Sequence, residues 1–144
     1  MSGALKHIAN TVKPGGKILI SGFRGSSFQP MVKLLLDRFR PYGLEIPQQM
    51  DWQRMSKVSQ LEKIFIQAGL NDMYIQKRSM GYHTDPEGWW SIVWNAGFRG
   101  FVEQLDDKID EFKQAHLKEI LPLCSDKGLW LEIDINLTSG VKSD

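Results

Sequence analysis

The sequence predicts an α/β protein, and three observations carry that prediction. A short apolar run at residues 17–23 contains or adjoins several glycines, as is typical of a buried strand. Residues 129–137 alternate strictly between apolar and polar side chains, the period of a strand with one buried face. Between them, apolar residues recur at helical spacing. Helices that alternate with strands along a chain are typical of an α/β fold.

The remaining elements follow from local start and stop signals. Pro14-Gly15-Gly16 ends the first helix, and Gly69 ends another, because glycine and proline continue a helix only at a cost. Ser59 with Glu62 predicts a capping box, and Asp85-Pro86 predicts a strong helix start. In chain order we expect a helix over 5–12, a strand over 17–23, a helix over 30–39, a loop over 41–55 with Trp52 as an anchor, a helix over 56–68, a strand over 72–82, a helix over 86–105, a helix over 108–121 and a strand over 129–137.

Length and composition favour one cytosolic domain. A chain of 144 residues with 42% apolar residues suits a single hydrophobic core, so residues 1–144 are predicted to form one domain. No apolar run reaches the roughly 18 residues of a membrane span, and no signal pattern opens the chain. Cys124 has no second cysteine to pair with, which favours a reducing compartment.

Charge is unevenly distributed although the formal net charge is only +1. Residues 1–40 hold seven basic side chains and one acidic one, whereas residues 81–144 hold six basic and twelve acidic ones. Two interpretations of this uneven distribution stay open. The charged residues either form solvated helix faces of opposite sign, or they create an electric field that steers an anionic ligand or promotes association. Basic and aromatic residues do not alternate as in nucleic-acid-binding segments, so no nucleic-acid partner is expected.

Three segments in this order resemble one enzyme family. Val12-Lys13-Pro14-Gly15-Gly16-Lys17-Ile18-Leu19-Ile20-Ser21 is similar to the turn and fifth strand of class I S-adenosylmethionine-dependent methyltransferases. Ser59 to Leu70, with Ala68-Gly69-Leu70 at its end, resembles the helix before their sixth strand, and residues 129–137 resemble their antiparallel seventh strand. The resemblance implies the C-terminal part of a Rossmann-like methyltransferase sheet, its last three strands. Residues 85–124 would be a helical lid insertion before the final strand.

The cofactor motif of that family is missing from the sequence. The family holds S-adenosylmethionine on a Gly-x-Gly-x-Gly turn after its first strand, with an acidic residue ending the second, and neither occurs here. S-adenosylmethionine is therefore implied by resemblance only, no cofactor-binding residue is assigned, and this chain alone is not expected to bind it. The partners expected are a small-molecule substrate and either a missing N-terminal half or a second copy. No membrane partner is expected.

Seven residues are candidates for binding a substrate. The resemblance places Phe23 and Arg24 beside the pocket, because they lie at the end of the fifth strand. The Gly22–Ser27 turn could cradle an anion through backbone amides, although a plain strand-to-helix turn is the simpler interpretation. The resemblance also makes the insertion a substrate lid, whose candidate residues are Trp89, Trp90, Trp94, Asn95 and Arg99. Tryptophans at helical spacing are more often core than ligand cage, and that alternative stays open.

No catalytic or metal-binding group is identified in the sequence. The three histidines share no metal-ligand spacing. His116 is interpreted as a structural residue rather than as the base that would activate Cys124 as a nucleophile. Methyl transfer depends mainly on positioning, so a missing acid–base pair does not exclude it. The leading hypothesis is the substrate-side portion of a methyltransferase for an apolar or aromatic acceptor, not active alone. The alternative is a non-catalytic interaction or dimerisation module derived from one.

Overall fold

A computed structural model describes residues 2–47, 50 and 55–143. Trp52, the predicted loop anchor, lies outside them. The helices are α1 (Ser2–Thr11), α2 (Met31–Phe39), α3 (Val58–Gln67), α4 (Pro86–Asn95), α5 (Arg99–Val102) and α6 (Ile109–Ile120). The strands are β1 (Lys17–Phe23), β2 (Leu70–Thr84) and β3 (Leu129–Lys142), and 3₁₀ turns cover Arg40–Tyr42, Glu103–Lys108 and Leu121–Leu123.

The three strands form one sheet in the order β1-β3-β2. β3 pairs antiparallel with β1, from Lys17 opposite Val141 to Phe23 opposite Ile135. The last strand of the sequence is therefore the central strand of the sheet. The predicted α/β class and the antiparallel closing strand are both confirmed.

Two predicted helix details are wrong. The single helix over 86–105 is broken, because α4 ends at Asn95 and Ala96 adopts a non-helical conformation before Gly97. At the last residue of α4 the Asn95 side-chain amide donates to the Ser91 carbonyl oxygen at 2.9 Å. The capping box is also wrong: α3 begins at Val58 after Lys57, with no side-chain cap.

Other boundaries agree with the local signals. The Asp85 carboxylate accepts a hydrogen bond from the Gly88 backbone N–H at 2.7 Å, which confirms the predicted start of α4. Gly43 and Gly69 both have positive φ angles, of 79° and 74°, at the ends of the helical segments that they stop. β2 and β3 are both longer than predicted.

The chain divides into two compact units. Unit 1 comprises residues 1–27, 49–80 and 133–144, and unit 2 comprises residues 28–48 and 81–132. The predicted insertion, residues 85–124, lies wholly in unit 2. That residues 1–144 form one domain stays a prediction.

Unit 1 buries its apolar core between the sheet and helices α1 and α3. The buried members of this core are Leu5, Ala9, Ile18, Phe65, Ala68 and Leu70. Gly140 of β3 touches Phe65 so closely that a Cβ there would lie 2.8 Å from the ring. The side of the sheet carrying Ile18 and Gly140 therefore faces the helices; we call it the helix side.

The buried face of β3 differs from the prediction. Leu129 and Leu131 are buried as expected, but from Asp134 onward the polar residues Asp134, Asn136 and Thr138 are buried and the apolar ones between them are only half-buried. The alternation is observed, but in unit 1 the polar side of β3 is the buried side. The Asn136 amide donates to the backbone oxygens of Met55 (2.9 Å) and Ser56 (3.3 Å), which offsets part of the cost of burial.

Unit 2 is organised around aromatic side chains on α2, α4 and α6. Phe39 stacks on Phe112 with ring centroids 4.6 Å apart, and Tyr42 meets Phe112 edge-on at 5.4 Å. Trp89 and Phe112 are fully buried. Such aromatic pairs supply large apolar area and preferred ring geometry.

Candidate functional site

The loop that follows β1 is fixed by one carboxylate of β3. Asp134 is buried, and its side chain accepts hydrogen bonds from the hydroxyls of Ser26 and Ser79. The Arg24 guanidinium lies 4.0 Å from the same carboxylate. These hydrogen bonds, that from Ser26 first, and the positive charge of Arg24 lower the pKa of Asp134.

Backbone contacts join the same loop to the same residue. The Arg24 N–H donates to the Asp134 carbonyl oxygen at 2.8 Å. The Ser27 hydroxyl donates to that oxygen at 2.6 Å and accepts from the Asp134 N–H at 2.9 Å. Both serine hydroxyls of the loop therefore bind the chain's own residue, which favours the structural turn over the anion cradle.

Phe23 and Arg24 lie in unit 1, where the loop begins. The Phe23 side chain is 43% exposed at the end of β1, and the Arg24 side chain is 31% exposed beside Asp134. The other five candidates lie in unit 2. A substrate-lining role for Phe23 and Arg24 stays a prediction.

The three tryptophans of α4 differ in burial. Trp89 is fully buried, Trp90 is 8% exposed and Trp94 is half-buried. The Trp89 indole N–H donates to Nε2 of His116 at 2.9 Å. Trp89 thus belongs to the core of unit 2, whereas Trp94 borders solvent.

Trp90, Trp94 and Asn95 come together along one shallow groove of about 420 Å³ between α4 and the start of α6. The groove is lined by Glu87, Trp90, Ser91, Trp94, Asn95, Ile109, Asp110 and Lys113. Its two indole rings offer flat apolar surface, and its carboxylates and amide offer polar contacts at the edge. Such a groove suits a small, flat molecule that carries a polar group.

Cationic side chains already lie over both rings of this groove. The Arg99 guanidinium is 5.2 Å from the centre of the Trp94 ring and bonds to Glu103 at 2.7 Å. Lys113 Nζ is 5.9 Å from the centre of the Trp90 ring and 2.7 Å from a Glu87 carboxylate oxygen. Arg99 therefore lies over Trp94 with its charge paired to Glu103, and a substrate-binding role for it stays a prediction.

His116 is fully buried beneath α4. Because Nε2 accepts the Trp89 hydrogen bond, the neutral ring carries its proton on Nδ1. Among the described residues Nδ1 has no hydrogen-bond partner, and a Glu119 carboxylate oxygen lies 3.9 Å away. Burial lowers the pKa of His116 to about 4, so the ring is neutral near pH 7. This agrees with a structural histidine.

A second groove was not foreseen from the sequence. It measures about 590 Å³ and is lined by Asp37, Arg38, Pro41, Tyr42, Lys108, Glu111 and Glu119. The Arg38 guanidinium donates to Glu119 through Nε at 3.0 Å and Nη2 at 2.8 Å. These two residues lie 81 positions apart, so no local motif could have joined them. The opposite charges of Arg38 and Glu119 neutralise each other, so this pair offers no evident reactive group in the groove.

Two further kinds of site are absent from the residues that the structure describes. No cluster of three or more His, Cys, Asp or Glu side chains in that part of the chain could hold a metal ion. No helix in it is long and apolar enough to cross a membrane.

The chain was also compared with known proteins. No protein-family model matches it, and no curated protein matches it. Similar solved structures include Haemonchus contortus phosphoethanolamine N-methyltransferase 2 in complex with S-adenosyl-L-methionine, 18% identical with a TM-score of 0.41. The same enzyme with phosphomonomethylethanolamine and S-adenosylhomocysteine is 17% identical, with a TM-score of 0.41. Each comparison covers 100% of this chain and 30% of the other, so this chain spans about 30% of their length.

Proposed function

We propose that this chain is the substrate-side portion of an S-adenosylmethionine-dependent methyltransferase that acts on a small apolar or aromatic acceptor. The observation that carries the proposal is the strand that follows Lys13-Pro14-Gly15-Gly16, paired antiparallel with the last strand of the chain. The resemblance in sequence implies that pairing, and local propensity alone would not produce it. The helical insertion lies between β2 and β3, as the resemblance also implies.

The acceptor is proposed to bind along the groove of α4. Trp94 supplies most of the accessible apolar surface, because Trp90 is only 8% exposed, and Asn95 supplies a polar group that can orient a hydroxyl or amine. Trp89 is fully buried, so its contribution would be to support α4 from beneath. Arg99, held by Glu103, would border the groove beside Trp94.

The residues present do not fit S-adenosylmethionine by themselves. The sequence has no Gly-x-Gly-x-Gly turn, and the serine hydroxyls of the Gly22–Ser27 turn, after β1, bind Asp134. We therefore assign no cofactor contact to this chain and propose that a second polypeptide portion holds the cofactor. The residues of this chain to which we assign a function are those that border the acceptor.

The test begins with the coding sequence upstream of Met1. An in-frame Gly-x-Gly-x-Gly segment would define the longer chain to be expressed. That chain would be assayed for transfer of a labelled methyl group to a panel of phenols, aryl amines and a phosphorylated amine. We expect the apolar and aromatic acceptors to be methylated in preference.

Matched variants separate the groove from the rest of the surface. Trp94→Ala is expected to raise KM for the acceptor at least about tenfold, roughly 1.4 kcal/mol of lost binding. Trp130→Ala, at a 45% exposed tryptophan of β3, is the control and should leave KM unchanged. Equal effects of the two variants would contradict the acceptor site on α4.

A non-catalytic interaction module is the second candidate function. The exposed apolar side chains of Leu19, Tyr74 and Met80 favour it, because large exposed apolar groups often mark interaction surfaces. In this case the chain would form a homo-oligomer, and an independent start codon and promoter would support that interpretation. For either function we propose a cytosolic location, because Cys124 has no partner for a disulfide.

A further inference from the structure

The two cationic side chains at the groove of α4 are both paired with carboxylates of the chain. Lys113 lines the groove, and its Nζ lies 2.7 Å from a carboxylate oxygen of Glu87. The Arg99 guanidinium, over the ring of Trp94, lies 2.7 Å from a carboxylate oxygen of Glu103. An anionic ligand would therefore have to compete with a carboxylate for either cation.

One negative charge of the same groove has no such partner. Asp110 lines the groove from the first turn of α6, and no described residue bonds or pairs with its side chain. The N-terminal end of a helix stabilises a carboxylate in its charged form. Because Glu87 and Lys113 cancel each other's charge, the Asp110 carboxylate is the charge that the groove leaves available to a ligand.

The Asn95 side chain offers the groove an acceptor rather than a donor. Its amide nitrogen donates to the Ser91 carbonyl oxygen at 2.9 Å and to the Ser91 hydroxyl oxygen at 3.2 Å. A side-chain amide has two N–H hydrogens, so both are used and the carbonyl oxygen Oδ1 remains. Asn95 and Asp110 therefore both suit a ligand that brings N–H donors.

The indole rings of the groove favour the same kind of ligand. The face of an indole carries negative charge density and attracts cations within about 6 Å of its centre. The chain itself provides two examples, since Arg99 lies 5.2 Å from the centre of the Trp94 ring and Lys113 lies 5.9 Å from that of Trp90. Trp94 is half-buried, so part of its ring remains accessible to the apolar body of a ligand.

We propose that the groove of α4 selects an amine that carries no anionic group, with its apolar body against Trp94 and its ammonium group at Asp110 and the Asn95 carbonyl oxygen. This inference rests on the proposed function, in which the groove holds the methyl acceptor, and it narrows the acceptor to amines. A phosphorylated amine fits less well, because its phosphate would meet Asp110 while Lys113 is paired. The bound ammonium releases one proton to water, which reaches this shallow groove, before its nitrogen accepts a methyl group.

The test uses three probes that share an indole ring and a two-carbon side chain. Tryptamine ends in an ammonium group, tryptophol in a hydroxyl and indole-3-propionate in a carboxylate. Binding to the full chain, labelled with nitrogen-15, is measured from chemical-shift changes in nuclear magnetic resonance spectra. We expect tryptamine to bind about three- to tenfold more tightly than tryptophol, and indole-3-propionate to bind most weakly. The advantage of tryptamine should shrink as salt is raised, because Asp110 is exposed.

Two variants assign the preference to one carboxylate. Asp110→Asn should lower the affinity for tryptamine to that for tryptophol and leave tryptophol binding unchanged. Glu111→Gln is the matched control, because Glu111 is the next residue in the same first turn of α6 and lines the groove of Arg38 and Tyr42 instead. It loses the same charge and should keep the preference for tryptamine. Both side chains are exposed, so circular dichroism should show unchanged folding for both variants.

Three outcomes would overturn the proposal: no probe binds, tryptophol or indole-3-propionate binds as tightly as tryptamine, or Asp110→Asn and Glu111→Gln behave alike. A longer chain that methylates phenols in preference to amines would also overturn it, while the proposed function would stand. The proposed function fails differently. In that case the longer chain would methylate no acceptor, although this chain would still bind tryptamine selectively through Asp110.

Discussion

Replacing Trp90 by alanine is expected to lower the free energy of unfolding by about 3–5 kcal/mol. Trp90 is 8% exposed and packs against Phe112, with ring centroids 6.3 Å apart. A tryptophan buries about 200 Å², which at about 25 cal/mol per Å² corresponds to about 5 kcal/mol. A compact unfolded chain reduces that figure by about 10–40%.

Trp94 is the matched comparison on the same helix. It is half-buried, and its clearest specific contact is the Arg99 guanidinium 5.2 Å from the ring centre, an interaction worth about 0.5–1 kcal/mol at exposed sites. Trp94→Ala is therefore expected to cost about 1–2 kcal/mol. The free energies come from urea denaturation followed by far-ultraviolet circular dichroism. Equal losses for the two variants, or less than about 1 kcal/mol for Trp90→Ala, would refute the assignment of Trp90 to the core.

Three further predictions concern other parts of the molecule. Hydrogen bonds lower the pKa of Asp134, so its contribution to stability is present above pH of about 4 and is lost as the pH falls through the folded-state pKa. Asp134→Asn should therefore lower the free energy of unfolding at pH 7 and reduce its further loss as the pH falls, measured by denaturation at successive pH values. Glu62→Gln, at an exposed residue of α3, is the control and should change neither quantity. Trp89→Phe should cost about 1–3 kcal/mol in thermal or chemical denaturation, because it leaves Nε2 of His116 without its donor; a neutral result would contradict that bond. Calorimetric titration with S-adenosylmethionine or S-adenosylhomocysteine should detect no binding tighter than about 1 mM, and a micromolar dissociation constant would reveal a complete cofactor site.

The fold was largely predictable because its signals are local. Asp85 with Pro86 is a local start signal, because the Asp85 side chain caps the first turn of the helix. Gly69 is a local stop signal, because it adopts a positive φ angle. β1 was placed at its observed bounds from a short apolar run, whereas β2 and β3 were placed too short. The break after Asn95 was missed because Trp94 and Phe98 keep helical spacing across it, so the pattern of apolar residues hides the change of backbone at Ala96.

The candidate site was less predictable because it depends on contacts between distant residues. The α4 candidates could be named from the tryptophan pattern, but the burial of Trp89 depends on His116, 27 residues later. The alternation of residues 129–137 places Asp134 on the polar face of the strand, and nothing in the adjacent sequence distinguishes it from the acidic Glu132 on the same face. Its partners Ser26 and Ser79 lie 108 and 55 positions away. Periodicity shows that a strand has two faces, but not which one a helix will cover.

The polar half of β3 has a consequence for the end of β1, at Phe23, and for the loop that begins at Arg24. That loop has no regular structure of its own, and its position is set by the backbone and carboxylate of Asp134. Because the period of a strand is two, a slip of one residue in the pairing of β1 with β3 would place Ile133 or Ile135 where Asp134 now lies. The serine hydroxyls would then lose their acceptor, and an apolar side chain would meet buried polar groups. The final strand therefore fixes both the register of the sheet and the position of Phe23 and Arg24. This preorganises the two residues in a way that the sequence of the loop alone cannot provide.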